Sequence, residues 1–444
     1  MSTIKINPWF GQLPDKWQQG QLKRFYSVRL GKMLQPNQLI SSDKLVPYMR
    51  AANISWAGPD VSDIKQMWAS PKEIINNKLE PGDLLISEGG DVGRSCLWND
   101  EIQFCIFQNA INRIRPRQLN STKFLYYLMQ VVKNSGWIDI ICNKATIAHF
   151  TAEKVNALEI PIPNHAEQRC IAAYLDEQTA KIDRLMDLRQ RQIALLKEQR
   201  AALIQQAVTR GLNPNAPMKD SGLPWLGEIP AHWSIIPLGR LAIQLQTGPF
   251  GSQLHAHEYV EGGIPVINPS HLAEGLIQHD PTCSVDESTA RKLDRHFLQV
   301  GDIVFARRGE LGRCALVRSE EVGWLCGTGS LLMRPDTQIL VPAYLVKLFE
   351  LKRLKESLTL QSVGSTMDNL NTGILSRMRL PLPLLDEQVE ILCFIEKQTE
   401  KFDVLHFAYS HQLTLLAEYR AALIHECVTG QRIVPDHYSI PAGG

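Results

Sequence analysis

An arginine-rich, glycine-containing segment is the part of this chain best suited to binding chemistry. The sequence ARRGELGR places Arg307, Arg308 and Arg313 around two glycines. A guanidinium group donates paired hydrogen bonds to phosphate oxygens, and equally to the O6 and N7 atoms of guanine. Glycines let the backbone of such a loop approach a ligand closely. The pattern therefore indicates a loop that contacts phosphates or base edges.

A second segment, SEGGDVGR (87–94), has the same layout and a different charge pattern. It retains the arginine as Arg94 but has Glu88 and Gly89 where the other segment has an arginine pair. Such variation is expected if two copies of one scaffold bind different targets. The alternative is that both segments are solvated turns without a ligand.

Motifs for catalysis are missing from the sequence. It contains no G-x-x-x-x-G-K-[ST] loop, no G-x-S-x-G elbow and no H-E-x-x-H pair. The stretch Asn7-Pro8-Trp9-Phe10 resembles the Asn-Pro-Pro-aromatic motif of adenine-N6 methyltransferases. No glycine-rich cofactor segment precedes it, and the related stretch 223–226 lacks the asparagine. We therefore expect a chain without catalytic residues.

Composition indicates a protein of several domains that is not strongly basic. The chain has 444 residues, 44% of them hydrophobic, and a net charge of +1. Its nine cysteines form no C-x-x-C pair, so we expect no metal site and reduced thiols in the cytoplasm. No apolar run is long enough to span a membrane. A role in nucleic-acid binding would need local basic patches or a basic partner.

The sequence is a tandem repeat of one unit of about 220 residues. PWFGQLPDKW (8–17) returns as PWLGEIPAHW (224–233), and the glycine-rich segments described above also correspond. From Pro161 to Thr209 the two copies align without a gap, and 21 of 49 positions are identical in the comparison with 381–429. The chain therefore consists of two modules in tandem, which can fold as a pseudo-dimer.

Each module ends in a long helix. No proline or glycine occurs in 166–210 or 384–429, and apolar residues follow a heptad-like spacing. About 40 residues give a rod of ~60 Å. A two-fold relation would pair the rods antiparallel, and the alternative is that each packs only on its own domain. The predicted pairing residues are Ile171, Leu175, Ile182, Leu185, Leu196, Leu203, Ile391, Ile395, Phe402, Leu405, Leu416 and Leu423.

The globular parts, roughly 1–165 and 225–383, are predicted to be mixed α/β. Short apolar runs at 45–54 and 263–272 predict strands, whereas 121–134 and 342–358 predict helices. The repeated Pro-Trp phrase opens each module. In a pseudo-two-fold arrangement, the C-terminal tail from Gly430 would lie near the N-terminus, and the tryptophans would pack where a rod meets its domain.

Taken together, the chain resembles the specificity subunit of type I restriction–modification systems. The similar stretches are MKDSGLPWLGEIPAHW (218–233), TGPFGSQLHAHEYVEGGIPVINPSHL (247–272), GDIVFARRGELGRCALV (301–317), PLPLLDEQVEI (381–391) and EYRAALIHECVTG (418–430). They occur in the family's order and cover essentially the whole chain. The first module differs more from the family's sequence pattern than the second, because it lacks the Gly-Pro-Phe-Gly loop.

The resemblance implies an α/β fold with two target recognition domains separated by a pair of long antiparallel helices. Each domain would read one half of a bipartite, asymmetric site in double-stranded DNA, and the helices would set the spacer. Two modification subunits would bring S-adenosylmethionine and methylate adenine N6. Two restriction subunits would add ATP- and Mg-dependent translocation and cleavage. The implied boundaries are 1–165 and 225–383 for the domains, 166–210 and 384–430 for the helices, 211–224 for the linker and 431–444 for the tail.

Loop residues with polar side chains are the predicted DNA contacts. They are Arg50, Asn53, Glu88, Arg94, Lys144 and Thr146 in the first module, and Gln253, Asn268, His271, Arg307, Arg308, Arg313, Thr366 and Asn369 in the second. Two alternatives stay open at this point. The chain is either a fusion of a methyltransferase with a recognition domain or a coiled-coil adaptor that never contacts DNA.

Overall fold

The structure is a computed structural model that describes residues 9–142, 149–250, 253–362, 370–435 and 438. The chain divides into two compact units. Unit 1 comprises Met1–Gln190 together with His411–Gly444, and unit 2 comprises Arg191–Ser410. Within the described ranges, none of the helices has the length and apolarity needed to cross a membrane.

Unit 1 contains a four-stranded and a three-stranded sheet. Its strands are β1 (Gln18–Gln21), β2 (Tyr26–Leu30), β3 (Lys44–Met49), β4 (Lys65–Ala69), β5 (Leu84–Ser87), β6 (Ser95–Leu97), β7 (Ile106–Phe107), β8 (Ile111–Pro116) and β9 (Glu159–Ile162). The strand orders are β2-β8-β5-β6 and β4-β3-β7, and β1 pairs with β9. Its helices are α1 (Pro71–Asn77), α2 (Thr122–Asn134), α3 (Trp137–Cys142), α4 (Ala152–Ala157) and the first part of α5 (His165–Arg210).

Unit 2 repeats this plan. Its strands are β10 (Met218–Asp220), β11 (Glu228–Pro230), β12 (Ser234–Pro237), β13 (Ala242–Thr247), β14 (Tyr259–Val260), β15 (Ile264–Ile267), β16 (Leu272–Ala273), β17 (Leu276–Ile277), β18 (Ser284–Val285), β19 (Ile303–Ala306), β20 (Cys314–Leu316), β21 (Leu325–Cys326), β22 (Ser330–Pro335) and β23 (Arg379–Leu382). The order β13-β22-β19-β20 matches β2-β8-β5-β6, and β12 pairs with β23 as β1 pairs with β9.

The helices of unit 2 differ in one respect from the expectation. They are α6 (Glu287–Lys292), α7 (Pro342–Phe349), α8 (Lys352–Ser362), α9 (Thr372–Arg377) and the first part of α10 (Leu385–Val428). The single helix predicted over 342–358 is wrong, because Glu350 and Leu351 separate α7 from α8. Leu351 is buried in the main core of unit 2, and the chain turns there so that both short helices can bury their apolar faces.

The long helices pair antiparallel inside each unit, as predicted. In unit 1, Arg420 Nε lies 2.8 Å from Asp183 Oδ1, and in unit 2, Arg200 Nε lies 3.7 Å from Asp403 Oδ1. The number of residues from Asp183 to Arg200 along α5 equals the number from Arg420 back to Asp403 along α10. One register therefore accounts for both ion pairs.

Burial along the predicted helix seam is uneven. The buried members are Ile171, Leu175, Ile182, Ile391, Ile395 and Leu423, and the half-buried ones are Leu196, Leu203, Phe402 and Leu416. Leu185 and Leu405 are 47% and 41% exposed, and their part in helix pairing stays a prediction. A seam residue is buried fully only where the core of a unit covers it, and both of these leucines lie outside the core clusters.

A tryptophan anchors the long helices to each unit. Trp17 Nε1 donates to Glu167 Oε1 at 2.9 Å, and Trp233 Nε1 donates to Glu387 Oε2 at 3.0 Å. Each ring also packs on the glycine that follows a helix. A Cβ on Gly430 would lie 3.3 Å from Trp17 Cζ2, and one on Gly211 would lie 3.3 Å from Trp233 Cζ2.

These contacts confirm two predictions from the sequence. The tryptophans pack where a helix meets its domain, and the end of α10 meets the first Pro-Trp phrase (8–17) as the end of α5 meets the second (224–233). Gly211 and Gly430 both adopt positive φ, at +70° and +74°, which is the left-handed conformation that glycine favours at a helix end.

A circular permutant is therefore expected to fold. Joining the old termini and opening the chain at Asn215, an exposed linker residue, leaves both tryptophan anchors and both ion pairs intact. Thermal unfolding followed by circular dichroism should give a melting temperature within a few degrees of the parent. A permutant opened between the buried residues Leu128 and Met129 is the control, and it should fail to fold. Loss of structure in the Asn215 permutant would contradict the equivalence of the two junctions.

Candidate nucleic-acid interface

The glycine-rich loops follow the central strand of the main sheet in each unit. Strands β5 and β19 are buried along their whole length, because their apolar residues face packed elements on both sides. A buried aspartate holds the turn before each strand. Arg115 Nη2 donates to Asp83 Oδ2 at 2.9 Å, and Arg334 Nη2 donates to Asp302 Oδ2 at 2.7 Å. The loops therefore start from fixed points.

The first residue of each loop makes the same backbone hydrogen bonds in both units. In unit 1, Glu88 N donates to Ala110 O, and Phe150 N donates to Glu88 O, both at 2.9 Å. In unit 2, Arg307 N donates to Gly329 O at 3.0 Å, and Leu370 N donates to Arg307 O at 2.9 Å. The other end of the loop also corresponds, because Ser87 N donates to Arg94 O and Ala306 N donates to Arg313 O, both at 2.8 Å. Glu88 and Arg307 thus occupy equivalent backbone positions.

A glycine near the end of each loop lets a helix pack against it. Gly93 and Gly312 have φ of +83° and +79°. A Cβ would overlap Ile138 Cδ1 at the first position and would lie 2.7 Å from Leu358 Cδ1 at the second. Because only glycine fits both the backbone conformation and the space, the loop shape is fixed by sequence at these two positions.

The arginine that ends each loop points into the protein. Arg94 Nη2 donates to Ala51 O at 3.2 Å, and Arg313 Nη2 donates to Pro269 O at 2.6 Å. Both carbonyls belong to short 3-10 turns, 51–53 and 269–271. The two arginines therefore hold these 3-10 turns against the loops. DNA contact by the arginines stays a prediction.

Charge and burial differ between the two equivalent residues that begin the loops. Glu88 is 8% exposed, its Oε2 atom has no hydrogen-bond partner among the described residues, and burial raises the pKa of its carboxyl against the opposing effect of His149. Arg307 is half-buried and donates from Nε to Leu370 O at 3.2 Å. Burial, with the neighbouring Arg308, lowers the pKa of Arg307.

Comparison with known proteins identifies the scaffold. A family model described as the type I restriction modification DNA specificity domain matches residues 14–197 and 243–413. The chain belongs to this family. The EcoKI specificity subunit of Escherichia coli K12 is 23% identical over 439 residues, which cover 95% of this chain and 90% of that protein.

Two solved structures share the fold. A chain from work on complex assembly and conformational transition of the type I R-M system has a TM-score of 0.71 at 16% identity, and covers 95% of this chain and 100% of that one. HsdS from Thermoanaerobacter tengcongensis has a TM-score of 0.54 at 17% identity, with coverage of 95% and 98%. At these identities the likeness shows the fold alone.

The 3-10 turns of this specificity subunit are held by their own predicted contact residues. Asn53 Oδ1 accepts from Arg50 N at 3.1 Å and its Nδ2 donates to Asp60 O at 2.8 Å. In unit 2 His271 Nδ1 accepts from Asn268 N at 3.3 Å. Asn53 and His271 are buried, and burial lowers the pKa of His271. These bonds give the two side chains an internal role, whereas base contact by them stays a prediction.

One group of potential metal ligands occurs in the part of the chain that the structure describes. Ligand atoms of His271, Asp280 and Cys283 all lie within 4.8 Å of one another. However, Nδ1 of His271 already accepts the Asn268 amide hydrogen, so a neutral ring carries its proton on Nε2. Because a metal needs a free lone pair on the ring, this tautomer fits a hydrogen-bonding role better than coordination.

The other predicted contacts are exposed or half-buried, or lie outside the described residues. Arg308 and Gln253 are exposed, and Gln253 Oε1 accepts from Phe250 N at 3.0 Å. Arg50 forms an ion pair with Asp63. The residues outside the described ranges are Lys144, Thr146, Thr366 and Asn369. Sequence reasoning missed the ion pairs of Asp83 and Asp302, although each aspartate belongs to a Gly-Asp turn that recurs before a buried strand.

Proposed function

We propose that this chain is the non-catalytic DNA-reading subunit of a type I restriction–modification complex. The loops of units 1 and 2 each read one half of a bipartite, asymmetric site in double-stranded DNA, and helices α5 and α10 set the spacer between the halves. The observation that carries the proposal is the duplicated loop scaffold. Its anchoring residues are the same in both units, while the side chains at Glu88 and Arg307 differ, as two readers of different sequences require.

Chemistry belongs to partner subunits in this proposal. Two modification subunits carry S-adenosylmethionine and methylate adenine N6, and two restriction subunits use ATP and Mg for translocation and cleavage. The assembly of the related type I R-M chain in a complex supports partner subunits. A net charge of +1 also favours this division, because a protein that bound DNA alone would need a basic surface to neutralise phosphates.

Selection from a duplex library tests the proposal. The chain is co-expressed with its modification subunit, purified as a complex and incubated at fixed salt with random duplexes. We expect enrichment of two fixed half-sites separated by unspecified positions. Enrichment without any consensus would leave the coiled-coil adaptor as the better account, and S-adenosylmethionine binding by the isolated chain would revive the methyltransferase fusion.

Arg308 is predicted to contact a phosphate. It is exposed at the loop surface, whereas Arg307 beside it is half-buried and held through Nε. Arg308→Ala should therefore weaken binding about equally for all sequences and reduce the slope of log affinity against log salt by about 1. Arg291→Ala, which removes an exposed arginine from α6, is the control. Relaxed selection at a single base position would instead assign Arg308 to a base edge.

A further inference from the structure

Unit 1 has a second loop at the same end of its main sheet as the glycine-rich loop. Strands β2 and β5 both pair antiparallel with β8, so they run parallel to each other and their carboxyl ends lie together. The segment 31–43, which we call the β2 loop, follows β2 and ends before β3. Gly31 N donates to Ile111 O at 2.9 Å, and the glycine-rich loop is bonded to the adjacent Ala110. The β2 loop therefore begins beside the loop that reads DNA in the proposed function.

The position of the β2 loop is repeated in unit 2. There Gly248 follows the equivalent strand β13, and its N donates to Ser330 O at 2.8 Å at the start of β22. At Gly31 and at Gly248 a Cβ would overlap a backbone carbonyl group of the facing segment, so only glycine fits. Unit 1 thus keeps the loop although it lacks the Gly-Pro-Phe-Gly sequence. Beyond the glycine both units expose large apolar side chains, and in unit 2 this side chain is Phe250, which is 53% exposed.

The tip of the β2 loop presents four large apolar side chains to solvent. Met33 and Leu39 are 76% and 75% exposed, and Leu34 and Ile40 are 51% and 55% exposed. Single exposed apolar residues are ordinary, whereas several on one loop mark an interaction surface. A partner that covers them must therefore supply apolar atoms.

One buried carboxylate holds the tip in shape. Asp43 Oδ2 accepts from Leu39 N at 3.1 Å and from Ile40 N at 3.2 Å. The same oxygen accepts from Gln35 Nε2 at 2.9 Å, and Gln35 Oε1 accepts from Lys32 Nζ at 2.8 Å. A loop braced in this way loses little conformational freedom when a partner binds, which favours a recognition role.

The charges around the tip favour DNA as the partner. Asp43 is the only acidic residue of the segment 31–43, and it is buried. Arg29 and Lys44, which flank the loop on either side, are exposed. A DNA backbone that approaches the tip would meet these cations, and the loop itself exposes no carboxylate that would repel phosphates.

The bases offer one apolar group to such side chains. Phosphates are charged, and the edges of the bases carry mainly polar donors and acceptors. In the major groove the exception is the C5-methyl group of thymine, which apolar side chains contact. Covering one methyl group corresponds to a change of about four-fold in affinity.

We infer that the β2 loop is a second base-reading element of unit 1, whose apolar tip covers a thymine methyl group in the half-site that this unit reads. The inference rests on the proposed function and deepens it, because it names the base and the group that is recognised. The tip residues are not among the contacts predicted from the sequence, since that prediction considered polar side chains.

Leu39→Ser and Met33→Ser, made separately in the co-expressed complex, test the inference by duplex-library selection. Both side chains are exposed, so folding should be retained. In at least one variant the preference for an A·T pair at one position should fall about four-fold, and the other half-site should be unchanged. Leu119→Ser is the matched control. Leu119 is 74% exposed but follows β8, whose carboxyl end lies at the opposite end of the sheet, so every position should be unchanged.

Replacement of thymine by uracil at the affected position isolates the methyl group, because uracil lacks only this group. The affinity of the wild-type complex should fall about four-fold, and the affinity of the affected variant should fall no further. The slope of log affinity against log salt should be the same for both proteins, since no phosphate contact is lost.

Three results would overturn the inference and leave the proposed function standing. The first is that both folded variants select the wild-type sequence at every position. The second is that uracil leaves the affinity of the wild-type complex unchanged. The third is that the variants lose co-purification with the modification subunit, or bind all duplexes equally weakly, which would assign the tip to a protein contact. A wild-type complex that selects no consensus would overturn both the inference and the proposed function.

Discussion

Deleting seven matched residues from each long helix should shorten the unspecified DNA spacer by about three base pairs. Helices α5 and α10 run without a break for 46 and 44 residues. Seven residues contribute about 10 Å of helix at 1.5 Å each, and B-DNA rises 3.4 Å per base pair along each strand. The deletion therefore shortens the helix pair by about the length of three base pairs of DNA.

The segments 188–194 and 409–415 are the appropriate pair to remove. They lie between Asp183 and Arg200 on α5 and between Asp403 and Arg420 on α10, so both ion pairs keep their antiparallel register. A seven-residue step also turns an α-helix by nearly two full turns, which leaves the apolar face within about 20° of its original direction.

Library selection with the shortened complex measures the effect. The half-sites should be retained and the gap between them should shrink. Deleting only 188–194 is the control, and it should disrupt the complex because one helix loses its register against the other. Retention of the original spacer by the doubly shortened chain would show that the helices do not set it.

Replacing Trp233 with alanine should lower the free energy of unfolding of the chain by about 3–5 kcal/mol. Trp233 is fully buried, packs on Gly211 and donates to Glu387. The substitution leaves a large cavity at the junction of a long helix with unit 2. It also removes one donor from the Glu387 carboxylate, which retains His232 as a partner.

Trp17→Ala is the matched control for that substitution. Trp17 makes the same hydrogen bond to a helix glutamate in unit 1, but its ring is only half-buried. Thermal and urea unfolding followed by tryptophan fluorescence and circular dichroism should show a smaller loss for Trp17→Ala than for Trp233→Ala. A larger loss for the Trp17 variant would contradict the ranking of the two junctions by burial.

The duplicated architecture was predictable because the signal is long and repeated. Glycine-free, proline-free stretches with heptad-like spacing predicted α5 and α10 almost to their ends. The repeated Pro-Trp phrase predicted both helix junctions, since Trp17 and Trp233 follow the same residue spacing. Such features depend on local chemistry and periodicity, which the sequence displays directly.

Side-chain direction within the loops was not predictable in the same way. Arg94 and Arg313 are arginines in glycine-rich segments, yet each donates to a carbonyl of a neighbouring turn. Asn53 and His271 are polar and buried for the same kind of reason, because they complete hydrogen bonds of their own turns. The direction of the two arginines depends on turns more than 40 residues away in sequence, whereas Asn53 and His271 bond within their own turns. The exposure of Leu185 and Leu405 depends on where each core ends, which the heptad-like spacing does not show.

Single-molecule sequencing of methylated adenines tests the central claim most directly. The DNA is taken from a host that carries the wild-type chain with its modification subunit, and from a matched host without the chain. We predict methylation at one asymmetric motif, made of two fixed half-sites and a spacer of constant length, only where the chain is present. Methylation of an uninterrupted motif, or of the same sites in both hosts, would contradict the assignment of DNA reading to this chain.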